Sequence, residues 1–234
     1  MRRRTVVYLV LSFLAAALFV RLGVWQLSRL AQRRAHNAAV SARMAEPPGT
    51  VRTLPADTAA LHYRRVHIAG RPDYAREIVL VNRTRQGSPG VHILTPLHVA
   101  GTDTLVLVNR GWVYSPNSAD ADLTKWHEGD SLAADGWVEV PTRLRGAAEL
   151  TSSPREFRWL DPAAVTRVVG APVTPYYVVL DPPPGDPPPN RPVRVPPPAL
   201  DEGPHKSYAI QWFFFALLAV VGGVVFARSD RARR

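Results

Sequence analysis

Two long apolar runs lie near opposite ends of the chain, and each predicts a transmembrane helix. The first covers residues 5–27 and the second residues 205–227, and no charged residue occurs from Tyr208 to Ala227. Because a helix rises about 1.5 Å per residue, roughly twenty apolar residues cross a hydrocarbon core about 30 Å thick. A cleaved signal peptide is the alternative for the first run, but the run continues past Arg21 to Leu27 without a small-x-small cleavage site. We therefore predict that this helix is retained.

The sequence between the two runs has the short alternating pattern of β-strands. Candidate strands, separated by glycine- and proline-containing turns, occupy residues 65–70, 77–82, 91–97, 104–113, 136–140 and 176–180. One short helix is predicted as well, with Asp161 as its N-cap, Pro162 at its first position and Gly170 at its end. The predicted fold class is membrane-anchored and β-rich. Two transmembrane helices flank an antiparallel β-meander or barrel-like domain, residues 35–180, with one short helix.

Proline marks both ends of this domain. The residues from 31 onward are compatible with an outward extension of the first helix, which Pro47 and Pro48 end. At the other end, residues 181–204 contain three triplets of proline, which exclude a helix or a central strand. We interpret this segment as a stiff polyproline II spacer before the second transmembrane helix, and a PxxP motif for a partner is the alternative.

The net charge of +10 is concentrated beside the apolar runs. Arginines precede the first run, follow it, and dominate the tail at residues 228–234, whereas residues 35–227 carry equal numbers of acidic and basic residues. This placement predicts cytoplasmic termini, an extracytoplasmic central domain, and a location in the inner or plasma membrane in contact with the lipid bilayer. We therefore expect no nucleic-acid partner.

Catalytic chemistry finds little support in the sequence. The chain has no cysteine, which excludes thiol nucleophiles, disulfides and thiolate metal sites. No G-x-S-x-G motif occurs and no paired carboxylates stand out. The histidines in or beside the strands lack a compact ligand spacing; these are His62, His67, His92 and His98. We expect a protein that is not an enzyme, with a membrane-anchored hydrolase as the alternative.

The start of the second apolar run carries the strongest candidate binding residues. His205, Tyr208 and Trp212 are spaced i, i+3 and i+7, which predicts one shared helical face, and Gln211 lies beside them. The simpler interpretation of His205 is a polar residue at the membrane interface. In the predicted topology, this region lies level with the end of the first run on an adjacent antiparallel helix.

The end of the first run has matching residues, Trp25 and Gln26. Interfacial anchoring explains the tryptophan, whereas a buried glutamine amide needs a partner, either Gln211 or a bound group. Arg21 lies within the run, where a charge is costly. Its long side chain either reaches the interface or meets an acidic group of a ligand or partner.

Four segments of the chain share a distinctive set of residues. They are residues 22–29 (LGVWQLSR), residues 81–97 with Gly90, Thr95 and Pro96, residues 107–113 (LVNRGWV), and residues 205–212 with His205, Tyr208, Gln211 and Trp212. In this order they resemble the surfeit locus protein 1 (Surf/Shy) family, nearly from end to end. Residues 159–172 fall where that family has its short helix. Two departures are Gly203, where the family commonly has Asn, and a longer proline run.

The resemblance implies an assembly factor for haem-copper cytochrome c oxidase. Such a protein assists incorporation of haem a or stabilises the nascent catalytic subunit, alongside other assembly factors. Some bacterial members are thought to bind haem a through the histidine that matches His205, which is therefore the expected ligand of the haem iron. The other expected haem-binding residues are Tyr208, Gln211, Trp212, Trp25, Gln26 and Arg21.

Two further expectations accompany the resemblance. Arg29, like Arg21, is a candidate partner for the haem propionates. Within the third segment, we expect Trp112 in the barrel core and Arg110 at the surface or in contact with a partner. The alternative function is a structural membrane scaffold that binds the oxidase without touching haem.

Overall fold

The computed structural model describes residues 3–119, 121–142, 148–150, 153–185 and 190–232. Its helices are α1 (Arg3–Ala45), α2 (Thr58–Leu61), α3 (Pro162–Val169) and α4 (His205–Ala232). Its strands are β1 (Gly49–Thr50), β2 (Arg65–Pro72), β3 (Ile78–Leu80), β4 (Gly90–His98), β5 (Leu105–Tyr114), β6 (Leu132–Glu139), β7 (Glu149–Leu150), β8 (Ser153–Phe157) and β9 (Val173–Leu180). Some predicted features lie outside the described residues, namely Arg2, Pro187, Pro188, Pro189, Arg233 and Arg234.

The chain divides into two compact units. One contains α1 as far as Ser41 and the chain from Ala199 onward, and the other runs from Ala42 to Pro198. The first is a pair of helices and the second contains every described strand.

Five strands of the β-rich unit close into a barrel. Their order is β2-β6-β9-β5-β4, and β4 pairs back onto β2 through Leu97 and His98. Four of these pairs are antiparallel and the β5–β9 pair is parallel. A circuit of five strands cannot alternate in direction throughout, so at least one parallel pair is required. Strands β3, β8 and β7 continue the sheet outward from β4.

The barrel interior is filled by the apolar side chains that alternate along each strand. Val66, Val106, Val138 and Val178 come from four different strands, and all are fully buried in one cluster. A second cluster buries α3 against the sheet through Val165 and its neighbours. The alternating pattern in the sequence therefore marks the core correctly.

The predicted fold class is confirmed. All six predicted strands are present, although β3 is shorter and β6 begins earlier than expected. The predicted short helix is α3, where the Asp161 carboxylate accepts the N–H of Ala163 and Gly170 ends the helix with a φ of 71°. Strands β1, β7 and β8 and helix α2 were not predicted, since each is five residues or fewer.

The expectation of a surface position for Arg110 is wrong. Its side chain is fully buried, and its guanidinium donates to Thr95 at 2.7 Å, to Glu77 at 2.6 Å and to Glu128 at 3.0 Å. A buried guanidinium needs this full set of acceptors. Trp112 is half-buried, and its indole N–H donates to the carbonyl of Arg83 at 2.8 Å.

The end of the proline-rich segment docks on the barrel. Val193 exchanges backbone hydrogen bonds of 2.7 and 2.8 Å with Trp112, and Arg194 pairs with Glu128 at 2.6 Å. Burial by itself would raise the pKa of Glu128, but the hydrogen bond and charge of Arg194, with those of Arg110, lower it below its ordinary value. This part of residues 181–204 is therefore hydrogen-bonded alongside β5 and does not act as a free spacer.

The helical unit is an antiparallel pair. The Thr5 hydroxyl donates a hydrogen bond of 2.7 Å to the carboxylate of Asp230. The side-chain amide of Asn37 donates one of 3.0 Å to the carbonyl of Leu200. Several buried residues recur every seven positions; they are Ala16, Gly23 and Leu30 on α1 and Ala209, Ala216 and Gly223 on α4. Small residues at this period let two helices pack closely along a left-handed seam.

Most of the apolar surface of this pair is exposed. Phe13, Ile210 and Val225 are 72%, 62% and 60% exposed, and both helices are long and apolar enough to cross a bilayer. An exposed apolar band of this length requires lipid as its solvent. The chain is a membrane protein.

Candidate functional site

His205 is the first residue of α4, and its ring contacts α1 within the helical unit. His205 Nδ1 lies 2.8 Å from Oε1 of Gln26, which is itself only 9% exposed. An amide oxygen accepts, so the ring nitrogen Nδ1 is the donor. The neutral ring then carries its proton on Nδ1 and presents the lone pair of Nε2, the atom free to accept a hydrogen bond or bind a metal.

The backbone before α4 holds this histidine in place. Gly203 has a φ of 65° and donates its N–H to Asp201 at 2.9 Å. The carbonyl of Pro204 accepts the N–H of Tyr208 at 3.1 Å, which starts the helix. Glycine and asparagine are the residues that best tolerate a left-handed φ, so the Gly203 departure preserves the local backbone.

A cavity of about 420 Å³ opens beside His205. Its α1 wall consists of residues spaced i, i+3, i+4 and i+7, and the full lining is Arg29, Gln32, Arg33, His36, Asp201, Glu202, Gly203 and His205. A volume of this size is typical of small-molecule sites, which span roughly 300 to 1,000 Å³.

Hydrogen bonds fix the polar wall of the cavity. Arg33 donates to the carbonyl of Asp201 at 3.0 Å, and Arg34 pairs with Glu202 at 2.6 Å. The hydrogen bond from Arg34 lowers the pKa of Glu202 below its ordinary value. Arg29 donates to the neutral amide of Gln32 at 2.9 Å, a contact that leaves its positive charge available to an anion.

An aromatic stack lies deeper in the same helix pair. Trp212 stacks on Phe19 with ring centroids 5.7 Å apart and an interplanar angle of 23°. Phe215 meets the tryptophan edge-on at 5.9 Å. Trp212 is thereby held between the helices, two turns of α4 beyond His205.

The structure brings together only some of the candidate residues. His205, Gln26 and Trp212 lie in the contact between α1 and α4. Four others are exposed on the outside of the pair: Arg21, Trp25, Tyr208 and Gln211. Tyr208 is 47% exposed because it lies about 60° around the helix from His205.

Of the two alternatives for the partner of Gln26, Gln211 is wrong. The Gln26 amide bonds His205, whereas Gln211 is exposed. Sequence reasoning also missed residues that line the site: Phe19, Gln32, Arg33, His36 and Glu202. The i, i+3, i+4, i+7 spacing of polar residues from Arg29 to His36 was the signal that could have revealed the cavity wall.

Comparisons with known proteins identify the relatives of the chain. The SURF1 family model matches residues 13–217. A SURF1-like protein from Rickettsia conorii is 24% identical over 95% of this chain and 92% of its own length. A SURF1-like protein from Monosiga brevicollis is 31% identical over 58% of this chain and 52% of its own. Surfeit locus protein 1 from Takifugu rubripes is 25% identical over 58% and 59%. The chain thus spans little more than half of the last two relatives.

Proposed function

Because the chain belongs to the SURF1 family, we propose that it is a non-catalytic assembly factor for haem-copper cytochrome c oxidase. In this proposal the protein holds haem a, as cargo, for the nascent catalytic subunit of the oxidase. It acts in the membrane beside that subunit and other assembly factors. The observation that carries the haem role is the His205–Gln26 pair, which leaves one imidazole nitrogen unprotonated at a cavity.

The residues of the helical unit fit the chemistry of a haem. An imidazole nitrogen is a common axial ligand of haem iron, and His205 Nε2 would fill that role. Gln26 would keep the ring in the required tautomer, as the outer partners of metal-binding histidines commonly do. Trp212, stacked on Phe19, adds an apolar aromatic surface in the same helix contact.

The cavity wall supplies positive charge for carboxylates. Arg29 and Arg33 both line the cavity with His205. Charge-assisted hydrogen bonds from guanidinium groups to carboxylates are short and strong, and we assign these two arginines to the haem propionates. Arg21 and Arg29 were both predicted as propionate partners, and of the two Arg29 lines this cavity whereas Arg21 does not.

Deletion of the chain from its native host tests the function. We expect membranes of the deletion strain to lose most haem a oxidase activity and absorbance, and the wild-type chain to restore both. Restoration by wild type but not by His205→Ala, at equal levels of the two proteins in the membrane, supports a role for haem. Equal restoration by both favours the scaffold alternative. Full oxidase activity in the deletion strain would contradict the proposed function itself.

A further inference from the structure

The cavity beside His205 is also lined by Gln32, a side chain to which the proposed function assigns no role. Gln32 lies on α1 within the same wall as two arginines, three residues after Arg29 and one before Arg33. Residues three apart on a helix are neighbours on one face. Gln32 is exposed, so its amide is accessible to a ligand in the cavity.

Arg29 fixes the orientation of the Gln32 amide. The guanidinium donates to the amide at 2.9 Å, and because a guanidinium cannot accept, the Gln32 atom beside it is the oxygen, Oε1. Nε2 then carries two N–H donors, and neither has a partner within the described part of the chain. The wall therefore presents an uncharged donor directly beside a cation.

The charged residues of the cavity leave Gln32 for an uncharged acceptor. The two arginines beside it bind carboxylates more strongly than a neutral amide can. The loop before α4 adds two acids to the lining. Of these, Glu202 is paired with Arg34 at 2.6 Å, and Asp201 accepts a backbone N–H at 2.9 Å. Acids repel a carboxylate and have no such effect on a neutral carbonyl, which suits the free N–H groups of Gln32.

We propose that Gln32 recognises the formyl group of haem a and so determines which haem this cavity accepts. This inference rests on the proposed function, because it concerns the same cargo and the same cavity. In haem a the formyl group is attached to the ring carbon next to one that bears a propionate. Gln32 likewise adjoins Arg29, which we assign to a propionate. The formyl oxygen is an uncharged acceptor, whereas haem o has a methyl group at that position and accepts nothing there.

Comparison of haem a with haem o isolates this contact, because the two differ only at the formyl position. Each haem is titrated into the full-length protein in detergent, and binding is followed by absorbance. The formyl group also withdraws electrons from the iron, but that effect is the same in every variant that retains His205. A change in the ratio of the two affinities therefore reports the contact at the formyl group.

Two variants of Gln32 test the donor. Gln32→Leu removes the amide, and Gln32→Glu keeps an acceptor for Arg29 but removes both donors. In each, the preference for haem a over haem o should fall about fivefold, the effect of losing one neutral hydrogen bond. Gln211→Leu makes the same change at an exposed glutamine that does not line the cavity, and it should keep the wild-type ratio. A wild-type ratio in both Gln32 variants, or an equal fall in Gln211→Leu, would overturn the proposal.

The resonance Raman spectrum of bound haem a gives a second readout. The stretching frequency of the formyl C=O bond falls when its oxygen accepts a hydrogen bond. We expect a lower frequency in the wild type than in Gln32→Leu, a difference that a merely structural role of Gln32 would not produce. The same frequency in the two proteins would contradict the contact.

The titrations also separate this inference from the proposed function. If the wild type binds neither haem, the proposed role as a haem carrier is contradicted and the role of Gln32 with it. If the wild type binds haem a and haem o with equal affinity, the carrier role stands and the assignment of Gln32 is contradicted.

Discussion

Single buried polar contacts organise both units of the protein at the scale of residues. In the helical unit, one amide oxygen selects the tautomer of His205. In the β-rich unit, Arg110 organises Glu77 and Glu128 around it. None of these pairings follows from sequence spacing, since the partners are 179, 33 and 18 residues apart. Sequence reasoning identified His205 and Gln26 as unusual residues, but it could not identify them as partners.

Replacement of Gln26 should release His205. In Gln26→Leu the ring loses its acceptor at Nδ1, so we expect a mixture of tautomers where the wild type has its proton on Nδ1. The ¹⁵N chemical shifts of the His205 ring, measured without haem in detergent, report the tautomer directly. Gln211→Leu makes the same change at an exposed position and should leave the shifts unchanged. Identical spectra for wild type and Gln26→Leu would contradict the assigned hydrogen bond.

His92 should make the β-rich unit sensitive to acid. Burial, reinforced by the nearby Arg83 guanidinium, lowers the pKa of His92 from 6.5 to about 4. The unfolded chain therefore binds more protons between these values, and the free energy of unfolding falls as the pH drops below 6.5. From pH 7.5 to pH 5 this effect is about 2 kcal/mol, since each pKa unit corresponds to about 1.4 kcal/mol.

Denaturant unfolding followed by circular dichroism at the two pH values measures this effect. His92→Gln should lose most of the pH dependence that the wild type shows. His67→Gln is the control, because His67 is exposed on β2 beside Asp135 and its replacement leaves His92 intact. An unchanged pH dependence in His92→Gln would show that other groups cause the acid sensitivity.

At the scale of elements, local patterns predicted the strands, and long-range pairing determined the barrel. The alternation of β-branched residues located β2, β4 and β5 because it depends on neighbours in sequence. It could not show that β9 lies between β5 and β6, or that β5 and β9 run parallel. It also could not show that Val193 pairs with β5, because proline-rich sequence hides a single pairing residue.

Gly111 should be essential for the contact between Val193 and β5. Its φ is 126°, and a Cβ there would lie 2.7 Å from the carbonyl carbon of Val193. Gly129 has a similar φ of 103°, but a Cβ there would have no neighbour within 4 Å among the described residues. Gly111→Ala should therefore reduce the free energy of unfolding by about 2 kcal/mol more than Gly129→Ala. Equal losses of unfolding free energy in the two variants, measured by denaturant unfolding, would mean that the strained φ alone, and not the nearby Val193, requires glycine at position 111.

For the whole molecule, the apolar ends of the chain determine where it resides. Both helices expose apolar side chains over a stretch long enough to cross a bilayer, and composition alone identified them. The continuation of α1 to Ala45 was predicted only as helix-compatible, since polar sequence beyond the membrane gives a weak periodic signal. The fold class was predictable because both of its main patterns are local.

The topology can be tested with single cysteines, because the chain has none of its own. Ser88→Cys places a thiol in an exposed turn of the β-rich unit, and Ser229→Cys places one near the end of α4. With a central domain outside the cytoplasm, a membrane-impermeant maleimide should label only Ser88→Cys in intact cells. After the membrane is permeabilised, both should react. Labelling of Ser229→Cys alone in intact cells would show that the topology is the reverse of the predicted one.

The haem a content of the purified protein tests the central proposal most directly. The wild type, His205→Ala and His67→Ala are purified in detergent from cells that make haem a, and haem per protein is measured by absorbance. We expect haem a in the wild type and in His67→Ala, and at least a tenfold loss in His205→Ala. Equal haem in all three proteins, or none in any, would contradict the proposal that His205 holds haem.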